Sequence, residues 1–134
     1  MIFSIQPESP VPIYEQIVSQ VTFAIAAGDL AAGSMIPSVR ELAQQILVHP
    51  NTVARAFQEL ERRGVVAAKR GRGMEVTTEA QDSCQSQRHE IIRGRIREAL
   101  REAASSALTA DEIRRLVEEE LARVNGQKRS REKR

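Results

Sequence analysis

Apolar residues recur at intervals of three and four along much of the chain, and the pattern is sharpest in residues 37–64. Val39, Leu42, Ala43 and Ile46 form a stripe little more than two helical turns long. Ser38 stands three residues before Glu41, an S-x-x-E start in which hydroxyl and carboxylate each satisfy a free backbone N–H. His49-Pro50 marks a second start, because proline at the first helical position gives up only an N–H that has no partner there. Val53, Phe57 and Leu60, with Ala56 beside them, make the buried face of that helix, and Gly64 sits where a left-handed residue ends it. Upstream, PIYEQIVSQVTFAIAAG predicts a helix from Pro12 with Ile13, Ile17, Val21, Ala24 and Ile25 on one face and Gly28 at its end. It supplies a third wall for two helices too short to stand alone. Asp29 to Ile36, punctuated by Gly33 and Pro37, reads as a loop, and residues 1–11 read as extended, with Ile2, Phe3 and Ile5 in partial alternation.

The polar face left over on the 50–62 helix carries Asn51, Thr52, Arg55, Gln58 and Arg62. A helix-turn-helix places its second helix in the major groove, where Asn, Thr, Arg and Gln can read base edges. The same pattern also fits a small helical hairpin whose polar face is merely solvated. After Gly64, VVAAKRGRGMEVT alternates loosely around Gly71 and Gly73, which predicts two short strands joined by a glycine turn. Lys69, Arg70 and Arg72 lie at its tip. A basic hairpin directly after a helix-turn-helix is a wing suited to a phosphate backbone or a minor groove, although an isolated KRGRG would serve equally as a solvated turn.

The remainder differs in character. Ile92, Ile96, Ala99 and Ala103 mark an amphipathic helix from about Ser83 to Ser106, its stripe widened by Ile91 and Leu100. Thr109 with Glu112 gives another capped start, followed by Ile113, Leu116, Val117, Leu121 and Val124. Two helices with apolar stripes cannot make a core by themselves. A second copy of the same hairpin is the expected partner, since twofold dimers are the commonest assembly; folding back onto the chain's own head is the alternative. The segment NGQKRSREKR, residues 125–134, is polar and basic and is expected to be disordered.

Composition narrows the function. In 134 residues the net charge is only +2, but its distribution is uneven. Residues 1–36 have no Lys or Arg, whereas residues 37–77 hold seven basic against four acidic side chains, and the last ten hold five against one. Positive charge therefore gathers where a nucleic-acid face would lie. The single cysteine, Cys84, sits among polar residues and reads as an ordinary exposed thiol of a reducing compartment. His49 and His89 without a cysteine cluster make no metal-ligand set, and no cofactor is expected. No apolar run approaches the length needed to cross a bilayer, and MIFSIQPESP lacks the basic and apolar regions of a signal peptide, so a cytoplasmic location is expected. No nucleophile with a base and no phosphate loop is evident, which disfavours an enzyme.

Four spaced motifs, PIYEQI, PSVRELA, HPNTVARAFQELERRGVV and RGRGMEV, together resemble the GntR family of bacterial transcription regulators, and the short chain with PNTV is most similar to its small YtrA-type subfamily. The resemblance spans residues 10 to 77. It implies a mainly α protein with an N-terminal winged helix-turn-helix, of three helices and a two-stranded β-wing, in residues 1–77. A two-helix dimerisation segment would follow in 78–124 and the basic tail in 125–134. Arg40 matches an arginine that contacts DNA, Asn51 and Thr52 the polar pair at the tip of the recognition helix, and Gly71 and Gly73 the wing-tip glycines. Two departures matter. Many relatives have an arginine at Ala54, and Arg55 points about 100 degrees around the helix from it. His49 stands where the subfamily usually has Asn, a better helix cap.

The expected function is a sequence-specific DNA-binding regulator, a repressor, that binds a palindromic operator as a homodimer. The DNA-contacting set would be Ser38, Arg40, His49, Asn51, Thr52, Arg55, Lys69, Arg70, Gly71, Arg72 and Gly73. The dimer interface would comprise Ile92, Ile96, Ala99, Ala103, Ile113, Leu116, Val117 and Leu121. Two helices leave little room for an effector pocket of about 300 Å³, so a small-molecule effector, if one exists, is expected at the dimer interface. The alternative is a winged-helix protein-interaction module without specific DNA binding.

Overall fold

A computed structural model of the chain describes residues 3–71 and 73–132. Eight elements follow in order: α1 (Ile13–Ala26), β1 (Met35–Ile36), α2 (Val39–Ile46), α3 (Pro50–Arg62), β2 (Val66–Lys69), β3 (Gly73–Val76), α4 (Ala80–Ser105) and α5 (Ala110–Glu132). The chain divides into two compact units, Met1–Ile91 and Ile92–Arg134.

In the first unit α1, α2 and α3 close on one core. Ile17, Val21 and Ile25 of α1, Leu42 of α2, and Val53 and Leu60 of α3 are completely buried, and Phe57 nearly so. The buried stripe of α1 is wider than the spacing of its large residues indicates. Val18, Thr22 and Ala26 are buried too, and Thr22 satisfies its hydroxyl by donating to the Val18 carbonyl at 2.7 Å. A buried hydroxyl bonded within its own helix behaves almost as an apolar residue, which is why periodicity overlooks it.

The wing is a three-stranded antiparallel sheet of order β1-β3-β2, one strand more than expected. Val66 faces Val76 and Lys69 faces Gly73 across the hairpin, while Met35 pairs with Glu75 and Ile36 with Met74. The end of the supposed 29–36 loop is thus a strand. Two residues are too few to show alternation, but Ile36 is buried and anchors the sheet to the core. Gly71 and Gly73 have φ of +76° and +98°, as the turn requires.

Residues 3–6 run along α1. Gln16 Oε1 accepts the Gln6 N–H at 2.8 Å while its Nε2 donates to the Gln6 carbonyl at 2.9 Å, and Gln20 pairs with Ser4 in the same way, at 2.9 and 2.7 Å. Each carboxamide stands in for a neighbouring peptide group. One helical turn, about 5.4 Å, comes close to two residues of extended chain, about 6.6 Å, so both pairs can form together. Phe3 and Ile5 pack on the core from this arm; Ile2 lies outside the described residues.

Two expectations about the middle of the chain need correcting. α4 begins at Ala80, and both Ala80 and Cys84 are buried in the head, so Cys84 is not an exposed thiol. Its polar neighbours in sequence lie on the other faces of the helix. The first unit consequently runs past residue 77 to Ile91.

The second unit contains the rest of α4, then α5. Ala107, with φ of +64°, joins them. Among the described residues the two helices hardly pack on one another. Their stripes stay open, with Ile92, Ile96, Leu116, Val117 and Leu121 between 40% and 56% exposed. Ala99 is exposed, and Ala103 and Ile113 are half-buried. Residues 125–132, expected to be disordered, continue α5 to Glu132. Gln127, Lys128 and Arg129 are good helix formers and carry the helix through Gly126 without any apolar contact. Among the described residues, no helix is long and apolar enough to cross a membrane.

Candidate nucleic-acid interface

The candidate surface is built from the capped starts of α2 and α3 and from the wing hairpin. Ser38 caps α2 by accepting the Glu41 N–H on its hydroxyl at 3.2 Å. That cap sets Arg40 in the exposed first turn. His49 caps α3, where its Nδ1 accepts the Asn51 N–H at 3.0 Å. The imidazole therefore does the work of the asparagine expected there. Asn51, exposed, and Thr52, half-buried, occupy the first turn of α3, opposite the buried Val53, Ala56, Phe57 and Leu60.

Arg55 lies one turn further along and is exposed, but it is not loose. Its guanidinium carbon stands 3.7 Å from the centre of the Tyr14 ring on α1. Sequence reasoning did not single out Tyr14, because an aromatic in the first turn of an amphipathic helix reads simply as core. Arg62, the last residue of α3, and Arg63, its C-cap, are both engaged by Glu59: Arg62 Nε at 3.0 Å and Arg63 Nε at 2.9 Å. These bonds, Arg62 foremost, hold the Glu59 carboxyl down at about 2. Glu59 thereby cancels much of the charge at the C-terminal end of the helix.

Ser38, Ala54, Gln58, Lys69, Gly73 and Met74 line a single open groove of about 340 Å³. α2, α3 and the wing thus form one continuous surface. Ala54 faces this groove, whereas its neighbour Arg55 turns toward α1, so Arg55 does not occupy the place an arginine at 54 would take. At the wing, Lys69 lies 3.6 Å from Glu75 across the hairpin, and Arg70 and Gly71 are exposed in the turn. Arg72 lies outside the described residues. Leu47, in the turn between α2 and α3, was also overlooked. It is left-handed, with φ of +55°, and 91% exposed. Among the described residues, no group of three or more His, Cys, Asp or Glu side chains could hold a metal ion.

The profile of the bacterial regulatory proteins of the gntR family matches residues 13–76, from α1 to the last strand of the wing. The HTH-type transcriptional repressor YtrA of Bacillus subtilis (strain 168) is 33% identical over 126 residues, covering 94% of this chain and 97% of that protein. The chain belongs to the GntR family. Two solved structures are similar to this GntR protein over most of its length. One is a transcriptional antiterminator from Listeria monocytogenes EGD-e, 33% identical with a TM-score of 0.65 over 89% of each chain. The other is YtrA from Sulfolobus acidocaldarius, a GntR-family transcription factor, 32% identical with a TM-score of 0.54 over 91% of this chain and 98% of that one. The winged helix-turn-helix fold and a role in transcription regulation through DNA binding follow from family membership. The resemblance carried by four short motifs in the sequence is thereby borne out.

Proposed function

We propose that this GntR protein is a repressor that binds a palindromic operator as a homodimer. The observation that carries this reading is the face of α3. Asn51, Thr52 and Arg55 stand on the open side of a helix whose other side is sealed into the core, and Ala54 and Gln58 of that helix share an open groove with Lys69 and Gly73 of the wing. In this reading Asn51, Thr52 and Arg55 address base edges. Ser38, Arg40, His49, Lys69, Arg70 and Arg72 lie against the sugar-phosphate backbone, where Gly71 and Gly73 allow close approach. The full-length similarity to a protein named as a repressor supports the sign of regulation.

The open apolar stripes of α4 and α5 support dimerisation. Side chains of this size left in water cost roughly 25 cal/mol for each Å² of apolar surface that a partner would cover. Ile92, Ile96, Ala99, Ala103, Ile113, Leu116, Val117 and Leu121 form the proposed interface. An effector, if the protein answers to one, would bind between these helices in the dimer.

A gel-shift titration tests the reading, with the DNA upstream of the protein's own gene set against a random duplex of equal length. Preference for the upstream DNA is expected. Changing Lys69, Arg70 and Arg72 together to Ala should weaken binding to both duplexes and flatten the salt dependence, since fewer counterions are released. Equal binding to both duplexes by the unmodified protein would refute sequence-specific recognition.

A further inference from the structure

α3 and the residue that caps its C-terminus carry three arginines in two different situations. Arg62 and Arg63 share the Glu59 carboxylate. Arg55 makes no ion pair among the described residues and rests instead on the Tyr14 ring, 3.7 Å from its centre. A guanidinium stacked on an aromatic face uses only its flat side. Its N–H donors lie in the plane and stay free for a carboxylate, phosphate or base edge. Tyr14 is itself fixed, because it is half-buried against the core and its hydroxyl donates to Glu15 Oε1 at 3.2 Å. A long side chain on the recognition helix is therefore held by the scaffold helix with its donor edge open.

We propose that Tyr14 is a positioning residue for DNA recognition: its ring fixes the Arg55 guanidinium on the α1 side of the recognition helix, pre-organised to make a forked contact. This rests on the DNA-binding reading above and extends it to a residue outside the helix-turn-helix. Pre-organisation matters here because an arginine otherwise gives up rotamer freedom on binding. The stack also sets direction. It keeps Arg55 away from the groove faced by Ala54, so that the protein recognises its site with one arginine reaching from the α1 side.

The test measures affinity for the preferred operator and for a random duplex by fluorescence anisotropy, using the full chain. Y14F keeps a ring and should leave the operator-to-random ratio within about twofold. Y14L removes the ring and should lower the ratio about two- to fivefold, the scale of a solvent-exposed cation–π contact, with the salt slope unchanged because no charge is lost. R55K keeps the charge without the planar fork and should lower the ratio as R55A does; in the Y14L background the difference between Arg and Lys should shrink. R55K lies on the surface, so it remains informative even if Y14L fails to fold, which thermal unfolding reports. A wild-type preference untouched by Y14L or by R55K overturns the positioning role alone. A wild-type protein with no preference for any operator overturns the DNA-binding reading and this proposal with it.

Discussion

His49 Nδ1 accepts the backbone N–H of Asn51 at 3.0 Å, so the first of the residues proposed to read base edges is held by the cap of its own helix. Replacing His49 by Ala should cost about 1 kcal/mol of folding stability, the usual loss for a removed cap. Replacing it by Asn should preserve stability. Urea denaturation of both variants measures this, and equal midpoints for the Ala variant and the wild type would show that the imidazole does not cap.

Four helices end alike, and two of them end on the wrong residue. After α1 and α3, Gly28 and Gly64 adopt φ of +87° and +77°, and the following N–H reaches back five residues: Asp29 to the Ala24 carbonyl at 2.8 Å, Val65 to Leu60 at 3.2 Å. After α2 and α4 the same turn is made by Leu47 and Ala107, with Val48 bonded to Ala43 at 3.1 Å and Leu108 to Ala103 at 3.4 Å. A side chain in the left-handed region costs about 1–2 kcal/mol. Leu47→Gly and Ala107→Gly should each raise stability by about 1 kcal/mol, while Gly64→Ala should lower it by a similar amount. Thermal melts check the signs, and a destabilised Leu47→Gly would mean that the leucine makes a folded-state contact.

Glu59 ties acid stability to the recognition helix. Its carboxyl is held at about 2, well below its ordinary 4.5, first by the Arg62 hydrogen bond and then by that of Arg63. A carboxyl lowered on folding stabilises above its unfolded value and loses that contribution as pH falls through the folded one. Stability should therefore decline between pH 4.5 and 2 by about 1 kcal/mol, since Arg62 is exposed and solvent screens the pair. Glu59→Gln should remove this part of the pH dependence; an unchanged acid limb in that variant would count against the triad.

Cys84 is fully buried, and burial pushes its thiol up to about 11, the charge of Arg63 opposing weakly. Only thiolate reacts, so the folded protein should resist a disulfide reagent at pH 8 and react once unfolded. Immediate labelling of the native chain would contradict the burial. Cys84→Ser should cost about 1–3 kcal/mol by placing a hydroxyl in an apolar site.

Much of the head is legible in the sequence, because its elements announce themselves locally. Ser38 and Glu41, His49-Pro50 and Gly64 mark helix ends by chemistry that acts within four residues. The local pattern already offered a basic wing, and family resemblance added what it could not, the choice of that wing over a solvated turn. What escaped depends on distant partners. Met35–Ile36 becomes a strand only because β3 lies beside it, and Cys84 is buried only because α4 returns to the core. Tyr14 gains a role from Arg55, forty-one positions away. Residues 125–132 failed differently: a lack of apolar residues does not prevent a helix when propensity favours one.

Selection of bound sequences from a pool of random duplexes tests the central claim most directly. Two symmetric subunits, each offering the Asn51, Thr52 and Arg55 face of α3, should enrich an inverted repeat whose half-sites are centred about one or two turns of DNA apart. A pool that remains random after repeated rounds, or that converges on a single unrepeated half-site, would contradict it.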